Sequence, residues 1–158
     1  MGKHIAIGPV VDFRGKAIKL PKRDDDGDVD WETGTQDEDK TPENLPTESA
    51  TTLTLLREVL LGLQASPDLR GIQRAEDSRR AMSLWNSMER CEDGTLEVHD
   101  KVYEWLHRLL KRDIPISKEE KDAGLEPLSV ASRLYSLNAW TVIDQLKDVD
   151  DRKDPDDD

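Results

Sequence analysis

Residues 100–112 read DKVYEWLHRLLKR, and this stretch indicates the fold class more clearly than any other part of the chain. An acidic residue that can cap a helix stands first, and basic residues that complement the negative end of a helix dipole stand last. His107 lies opposite the apolar stripe, so we expect it to be exposed. The stripe, which predicts an amphipathic helix packed on a core, consists of Val102, Trp105, Leu106, Leu109 and Leu110.

Further helices are predicted on both sides of this stretch. Thr54 can cap a leucine-rich helix that begins at Leu55, and residues 72–92 form a longer helix. Ser117 opens a capping box that predicts one short turn, and Pro127 suits the first position of a last helix. The sequence therefore predicts a mainly α protein, a small bundle of three to five helices. The face of the longer helix that is predicted to lie inward holds Ala75, Ser78, Met82, Trp85 and Met88.

An N-terminal arm, residues 1–23, precedes the helices. Its β-branched residues partly alternate with other types, Pro9 interrupts them, and Arg14-Gly15 has the composition of a turn. A short hairpin or an extended arm fits this pattern. Because an isolated two-stranded hairpin is marginally stable in water, we expect the arm to lie against the chain's own helices or against a partner.

Charge divides the chain into four parts. The formal net charge is −12, and most of the acidity lies in residues 24–50 and 148–158, which contain eleven and seven acidic side chains. Such segments cannot bury enough apolar surface to offset the backbone entropy of ordering, about 1–2 kcal/mol per residue. We therefore predict an extended basic arm at 1–23, an acidic disordered linker at 24–50, a helical domain at 51–147 and an acidic disordered tail at 148–158.

Motifs that would indicate catalysis or metal binding are missing from the sequence. When Gly27 is placed at the sixth position of a calcium loop, the carboxylates required at its first and twelfth positions are absent. Cys91 could meet His99 or His107 in the fold, but a small hydrophobic residue near a helix end is the favoured interpretation. We expect no enzyme, no catalytic residues, no cofactor and no metal.

Composition also restricts where the chain acts and what it binds. No run approaches the 18 consecutive apolar residues of a membrane span, and the lone cysteine gives no reason to expect an oxidising compartment. The negative charge disfavours direct contact with nucleic acid or with anionic lipid. We expect a cytoplasmic protein that binds neither membranes nor nucleic acid directly.

The order of elements resembles that of small proteins encoded by tailed bacteriophages. The likeness covers residues 5–20 and 51–147. It depends on the arm sequence Asp12-Phe13-Arg14-Gly15-Lys16 and on Leu53-Thr54-Leu55 at the start of a compact helical body. The long acidic insert and the acidic tail depart from the group. The resemblance implies a phage context and a non-enzymatic accessory role, and it carries over no functional residue.

These observations predict a protein that binds another protein. The partner would be a virion or assembly component or a host factor, and self-association is a further option. With the resemblance, this places the chain in the host cytoplasm or in the virion. The alternative is an acidic decoy that occupies the nucleic-acid-binding groove of a host protein. The candidate partner-binding residues are Phe13, Arg14, Trp31, Trp140 and Ile143.

Overall fold

The computed structural model describes residues 2–65, 72, 74–92, 94–134 and 140–148, with Trp140 described by its backbone alone. Within these ranges the strands are β1 (Gly2–Ala6), β2 (Lys19–Pro21), β3 (Thr47–Ser49) and β4 (Thr95–His99). The α-helices are α1 (Thr52–Ala65), α2 (Ala75–Glu89), α3 (Asp100–Lys111), α4 (Lys118–Asp122) and α5 (Val130–Arg133). Short 3-10 helices span Asp37–Asp39 and Pro42–Asn44, and a π-helical turn spans Trp140–Asp144.

Two small antiparallel sheets make this a mixed α/β protein, so the predicted mainly α bundle is wrong. β1 pairs with β4, with Ile5 opposite Leu96, and β2 pairs with β3. Helix accounts for 46% of the described residues and strand, with isolated bridges, for 19%, which is too much strand for an all-helical class. These strands have three to five residues. So short an alternation is a weak signal beside long helical stripes.

The N-terminal arm lies against the chain's own elements. The amide of Val10 donates to the carbonyl of Ala50 at 2.9 Å, and the amide of Ala50 donates to the carbonyl of Ile18 at 2.7 Å. Ile18 also donates to Val10, which closes a hairpin over residues 10–18. At the start of α1, the Thr52 hydroxyl donates to the carbonyl of Ala6 at 3.0 Å. The sequence left open whether the arm lies against the chain's own helices or against a partner. In the structure it lies against other elements of the same chain.

Helix α3 is covered on two sides. Its predicted apolar stripe is buried or half-buried, which confirms that part of the interpretation. Tyr103 and His107 are buried as well, so the prediction of an exposed His107 is wrong. The reason is the C-terminal segment: His107 Nε2 lies 3.1 Å from the carbonyl oxygen of Leu146, and the amide of Asp148 donates to the Tyr103 hydroxyl at 2.8 Å. A helical periodicity cannot reveal a second covering segment that is distant in sequence.

Helix α2 turns a different face inward from the one predicted. Leu84 is its fully buried residue, whereas Met82, predicted to face inward, is 63% exposed. Trp85 and Met88 are half-buried against the core. The first turn of α2 is also fixed to α3, because Trp105 Nε1 on α3 donates to an Asp77 carboxylate oxygen at 3.0 Å.

The predicted last helix is shorter in the described residues. It begins at Val130 rather than Pro127, because the Ser129 hydroxyl caps α5, and residues 135–139 lie outside the described ranges. Ala131, Leu134, Val142 and Leu146, predicted as apolar residues of this helix, are buried. Asp148, assigned to the disordered tail, is also buried, and residues 149–158 lie outside the described ranges.

Residues 24–50, predicted as a disordered linker, contain β3, both 3-10 helices and a tight turn. In that turn the Asp24 side chain accepts hydrogen bonds from the amides of Asp26 and Asp28 at 2.9 and 3.1 Å. Ala50, at the end of the segment, is 1% exposed. The predicted linker therefore includes elements that pack on the fold, and its disorder in solution stays a prediction for hydrogen exchange to test.

Candidate partner-binding site

The hairpin of residues 10–18 ends in a tip that holds Phe13 in solvent. Phe13 is 81% exposed, more than any other large hydrophobic side chain in the described ranges. The Arg14 guanidinium lies 5.8 Å from the centroid of the Phe13 ring, within reach of a cation–π contact. Two of the residues predicted to bind a partner therefore lie side by side. We call Phe13, Arg14 and Lys16 the Phe13 tip.

Asp12 fixes the shape of the Phe13 tip. One oxygen of its carboxylate accepts from the amides of Arg14 and Lys16 at 2.8 and 3.1 Å, and the other accepts from Arg14 Nη2 at 2.9 Å. The side-chain hydrogen bond from Arg14, with the two backbone amides, lowers the pKa of Asp12 below its usual 3.8. Gly15 completes the turn with a φ of 78°, a conformation that other residues rarely adopt. At neutral pH the Asp12 carboxylate is therefore ionised, and its hydrogen bonds hold the tip in this shape.

The base of the hairpin is fixed by the C-terminal segment. Gln145 Nε2 donates to the carbonyl of Val11 at 2.8 Å, and the amide of Val11 donates to Gln145 Oε1 at 3.3 Å. The Thr141 hydroxyl donates to the same carbonyl at 3.4 Å. Gln145 and Thr141 are buried. Sequence reasoning missed both, because polar residues on an amphipathic helix are ordinarily assigned to the solvent face.

Trp31 lines a separate concave site, which we call the Trp31 groove. The groove has a volume of about 270 Å³ and is lined by residues from the acidic segment: Trp31, Glu32, Thr35, Asp39, Asn44 and Pro46. Trp31 is half-buried, and the two carboxylates are exposed. Asn44 Nδ2 donates to the carbonyl of Asp39 at 2.9 Å, which joins the two 3-10 helices around the groove. Trp31 thus contributes to a shaped site and not to a featureless linker.

Of the remaining candidates, Ile143 and Trp140, the structure describes the side chain of Ile143 alone. Ile143 is half-buried and packs against the core. The backbone of Trp140 opens the π-helical turn, and its side chain lies outside what the structure describes. Of the five candidates, the structure therefore places Phe13 and Arg14 together and Trp31 in a groove of its own.

An ion pair between Arg23 and the buried Glu58 joins the end of the N-terminal arm to α1. Arg23 Nε and Nη2 donate to the two oxygens of the Glu58 carboxylate, which is 0% exposed, and Nη1 donates to the carbonyl of Gly27 at 2.8 Å. Arg57 lies beside it, and its Nη2 donates to a Glu48 carboxylate oxygen at 3.3 Å. This pair could not be predicted from the sequence, because its members are far apart in the chain and Glu58 resembles an ordinary residue of a first helical turn.

A groove of about 800 Å³ lies between α2 and β4, and Cys91, His4 and His99 are among its lining residues. Cys91 Sγ is 3.6 Å from the carbonyl oxygen of Thr95, and His99 Nδ1 accepts from the amide of Lys101 as the cap of α3. The two histidines and the thiol therefore line one groove, and the hydrogen bonds just described, from the thiol and to His99, both involve backbone atoms. No cluster of three or more metal-binding side chains occurs among the described residues.

Comparison with protein families, with curated proteins and with solved structures finds no match for this chain. Among the helices in the described ranges, none has the length and apolar content required to cross a bilayer.

Proposed function

We propose that this chain is a non-enzymatic accessory protein of the tailed-phage kind that binds a protein partner through the Phe13 tip. The observation that carries the proposal is an aromatic side chain, 81% exposed, on a hairpin fixed both at its turn and at its base. An exposed phenylalanine contributes little to the fold of its own chain. Held rigidly beside an arginine, it has the composition of a binding hot spot.

The energetics favour such a tip. Burying a phenylalanine side chain in a partner contributes about 1.5–3 kcal/mol. A tip that is already ordered loses little conformational entropy on binding, so more of that gain appears as affinity. The ion pair between Arg14 and Asp12 and the anchor at Val11 supply this order before a partner arrives.

A photo-crosslinking amino acid in place of Phe13 tests the proposal in infected or source cells. We expect one defined adduct, with a virion component or a host factor, that untagged chain competes away and Phe13→Ala chain does not. The matched control carries the same crosslinker in place of Leu125, which is 56% exposed on a different part of the surface. No adduct at position 13, or the same adduct from position 125, would rule out the tip as the binding site.

The acidic decoy has one specific observation in its favour. The carboxylates of Asp24, Asp25, Asp26, Asp28, Asp30, Glu32, Asp37, Glu38, Asp39 and Glu43 are exposed on a segment with a defined path. A mimic of a nucleic-acid backbone requires charges at fixed positions, because mobile charges lose entropy when they are aligned with a basic groove. Deleting residues 24–50 is a poor test, because it would also remove β3 and Ala50.

Neutralisation tests the decoy without loss of these elements. The exposed aspartates of residues 24–39 are changed to asparagine, and binding to the captured partner is compared with that of Phe13→Ala. A decoy loses binding on neutralisation and keeps it without Phe13, whereas a tip binder shows the opposite pattern.

A further inference from the structure

We infer that the Phe13 tip of one copy docks into the Trp31 groove of a second copy, so that the chain self-associates head to tail. The inference rests on the proposed function, because it uses the same tip, and it identifies the partner as another copy of this chain. Two observations carry it: the charges of the two surfaces are opposite, and the groove has the size of one side chain.

The tip is aromatic and basic. Phe13, Arg14 and Lys16 are exposed, and Asp12 offsets one of the two positive charges. The rest of the arm carries four further basic residues and no second acid. These basic residues are Lys3, Lys19, Lys22 and Arg23. A surface that receives this tip should combine an aromatic wall with carboxylates at its rim.

The Trp31 groove has that combination. The Trp31 side chain forms one wall, and the exposed carboxylates of Glu32 and Asp39 lie on the lining. Its volume of about 270 Å³ is below the range of pockets that hold whole small-molecule ligands, about 300–1,000 Å³, and suits a single inserted ring. Phenylalanine beside tryptophan gains an aromatic pair contact, and each carboxylate can pair with Arg14 or Lys16.

A chain does not fill its own groove with its own tip. Phe13 is 81% exposed, and its hairpin is held at Val11 by Gln145. Each copy therefore presents one tip and one groove, which are different surfaces. An interface between different surfaces is heterologous, and it leaves a free tip and a free groove at the ends of every open assembly. Association should therefore continue beyond the dimer.

Analytical ultracentrifugation of the purified full chain tests the inference. A single-side-chain contact belongs with the weak interfaces, so concentrations up to about 1 mM are required. We expect the weight-average mass to rise from the monomer value of 18.0 kDa to more than twice that value. Phe13→Ala removes the tip, and Glu32→Lys with Asp39→Lys inverts the groove. All three residues are exposed, so both variants should fold, and each alone should stay monomeric.

The equimolar mixture of these two variants is the decisive sample. The first variant keeps its groove and the second keeps its tip, so the mixture should form a one-to-one dimer and stop there. Met82→Ala, which removes an exposed apolar side chain elsewhere, is the matched control and should associate like the unmodified chain. Circular dichroism of each variant confirms its fold.

Three results would overturn the inference: a monomeric unmodified chain at every concentration, association that survives Phe13→Ala, or a mixture that stays monomeric. These failures are distinct from failure of the proposed function. A chain that is monomeric when pure but crosslinks a different protein from position 13 loses the self-docking inference and keeps the binding role. A chain with no adduct from position 13 in cells loses the binding role.

Discussion

The side-chain amide of Gln145 hydrogen-bonds both backbone polar groups of Val11, at 2.8 and 3.3 Å, in place of a neighbouring strand. Val11 lies on the outer edge of the hairpin, and such an edge normally leaves its amide and carbonyl to solvent or to another chain. One glutamine therefore closes the edge of the element that presents Phe13. It also links the N-terminal arm to the last described segment of the fold.

Gln145→Ala should destabilise the protein by about 1–3 kcal/mol, because it leaves the half-buried Val11 amide without its partner and removes one of the two donors to the Val11 carbonyl. Gln145→Glu should also destabilise it, since a carboxylate oxygen then faces the Val11 carbonyl. Urea denaturation followed by circular dichroism measures both. Gln64→Ala, at an exposed position on α1, is the control and should change the free energy of unfolding by less than about 0.5 kcal/mol. Equal effects at positions 64 and 145 would contradict the role of Gln145.

Breaking the buried pair of Arg23 and Glu58 should cost more than breaking an exposed pair. Arg23→Met leaves the Glu58 carboxylate buried without its main cation, and the expected loss is about 3–5 kcal/mol. The double variant Arg23→Met with Glu58→Met should recover most of it. For comparison, Glu76→Ala breaks the exposed pair with Arg80, which should cost less than about 1 kcal/mol. A double variant no more stable than Arg23→Met would show that the loss does not come from the unpaired charge.

His107 should make the stability depend on pH. Burial is the main cause that lowers the pKa of His107 from 6.5 to about 4, and Nδ1 has no hydrogen-bond partner in the structure. The unfolded chain therefore binds a proton more readily than the folded chain between these two values. The contribution of neutral His107 to the free energy of unfolding is complete above pH 6.5, decreases as the pH falls, and is lost below pH 4. Its full size is about 3 kcal/mol.

The measurement is the free energy of unfolding of the unmodified chain and of His107→Gln from pH 7 to about pH 4. The difference between the two should shrink as the pH falls, which separates this histidine from the many carboxylates that titrate in the same range. Gln64→Ala, at an exposed position without a titrating side chain, is the control and should keep a constant difference. A constant difference for His107→Gln would contradict the effect.

Hydrogen exchange should distinguish the hydrogen-bonded amides around residues 24–50 from their neighbours. The amides of Lys22, Asp30 and Ala50 donate to backbone carbonyls at 2.7 to 2.9 Å, so they should exchange slowly. The amide of Asp25, in an exposed turn, should exchange at nearly the rate of an unstructured peptide and is the internal reference. Uniformly fast exchange from Asp24 to Ala50 would instead support the disordered linker predicted from the sequence.

Features set by neighbouring residues were predictable from the sequence. The capping box at Ser117, the turn at Arg14-Gly15 and the apolar stripe of α3 depend on contacts within a few positions, and the structure confirms all three. The hydrogen bonds of the turn come from Asp12, two residues before Arg14.

Features that depend on distant residues were not predictable. His107 is buried because Leu146 lies over it, and Glu58 is buried because Arg23 neutralises it. The mixed α/β class was not predicted for the same reason, since the partner of β1, strand β4, is distant in sequence. Phe13 was identified as a candidate from its sequence context, but its exposure depends on how the whole hairpin is held.

The contacts of β1 with β4 and with Asp148, the last described residue, have a consequence for biosynthesis. Ile5 pairs with Leu96 and forms a bridge with Asp148, and the amide of His4 donates to Asp148 across 144 positions. β1 is synthesised before β4 and Asp148, so it must wait until both have left the ribosome. During that interval its edge is open to chaperones, and the rate of folding should be set by this late closure and not by the formation of the helices.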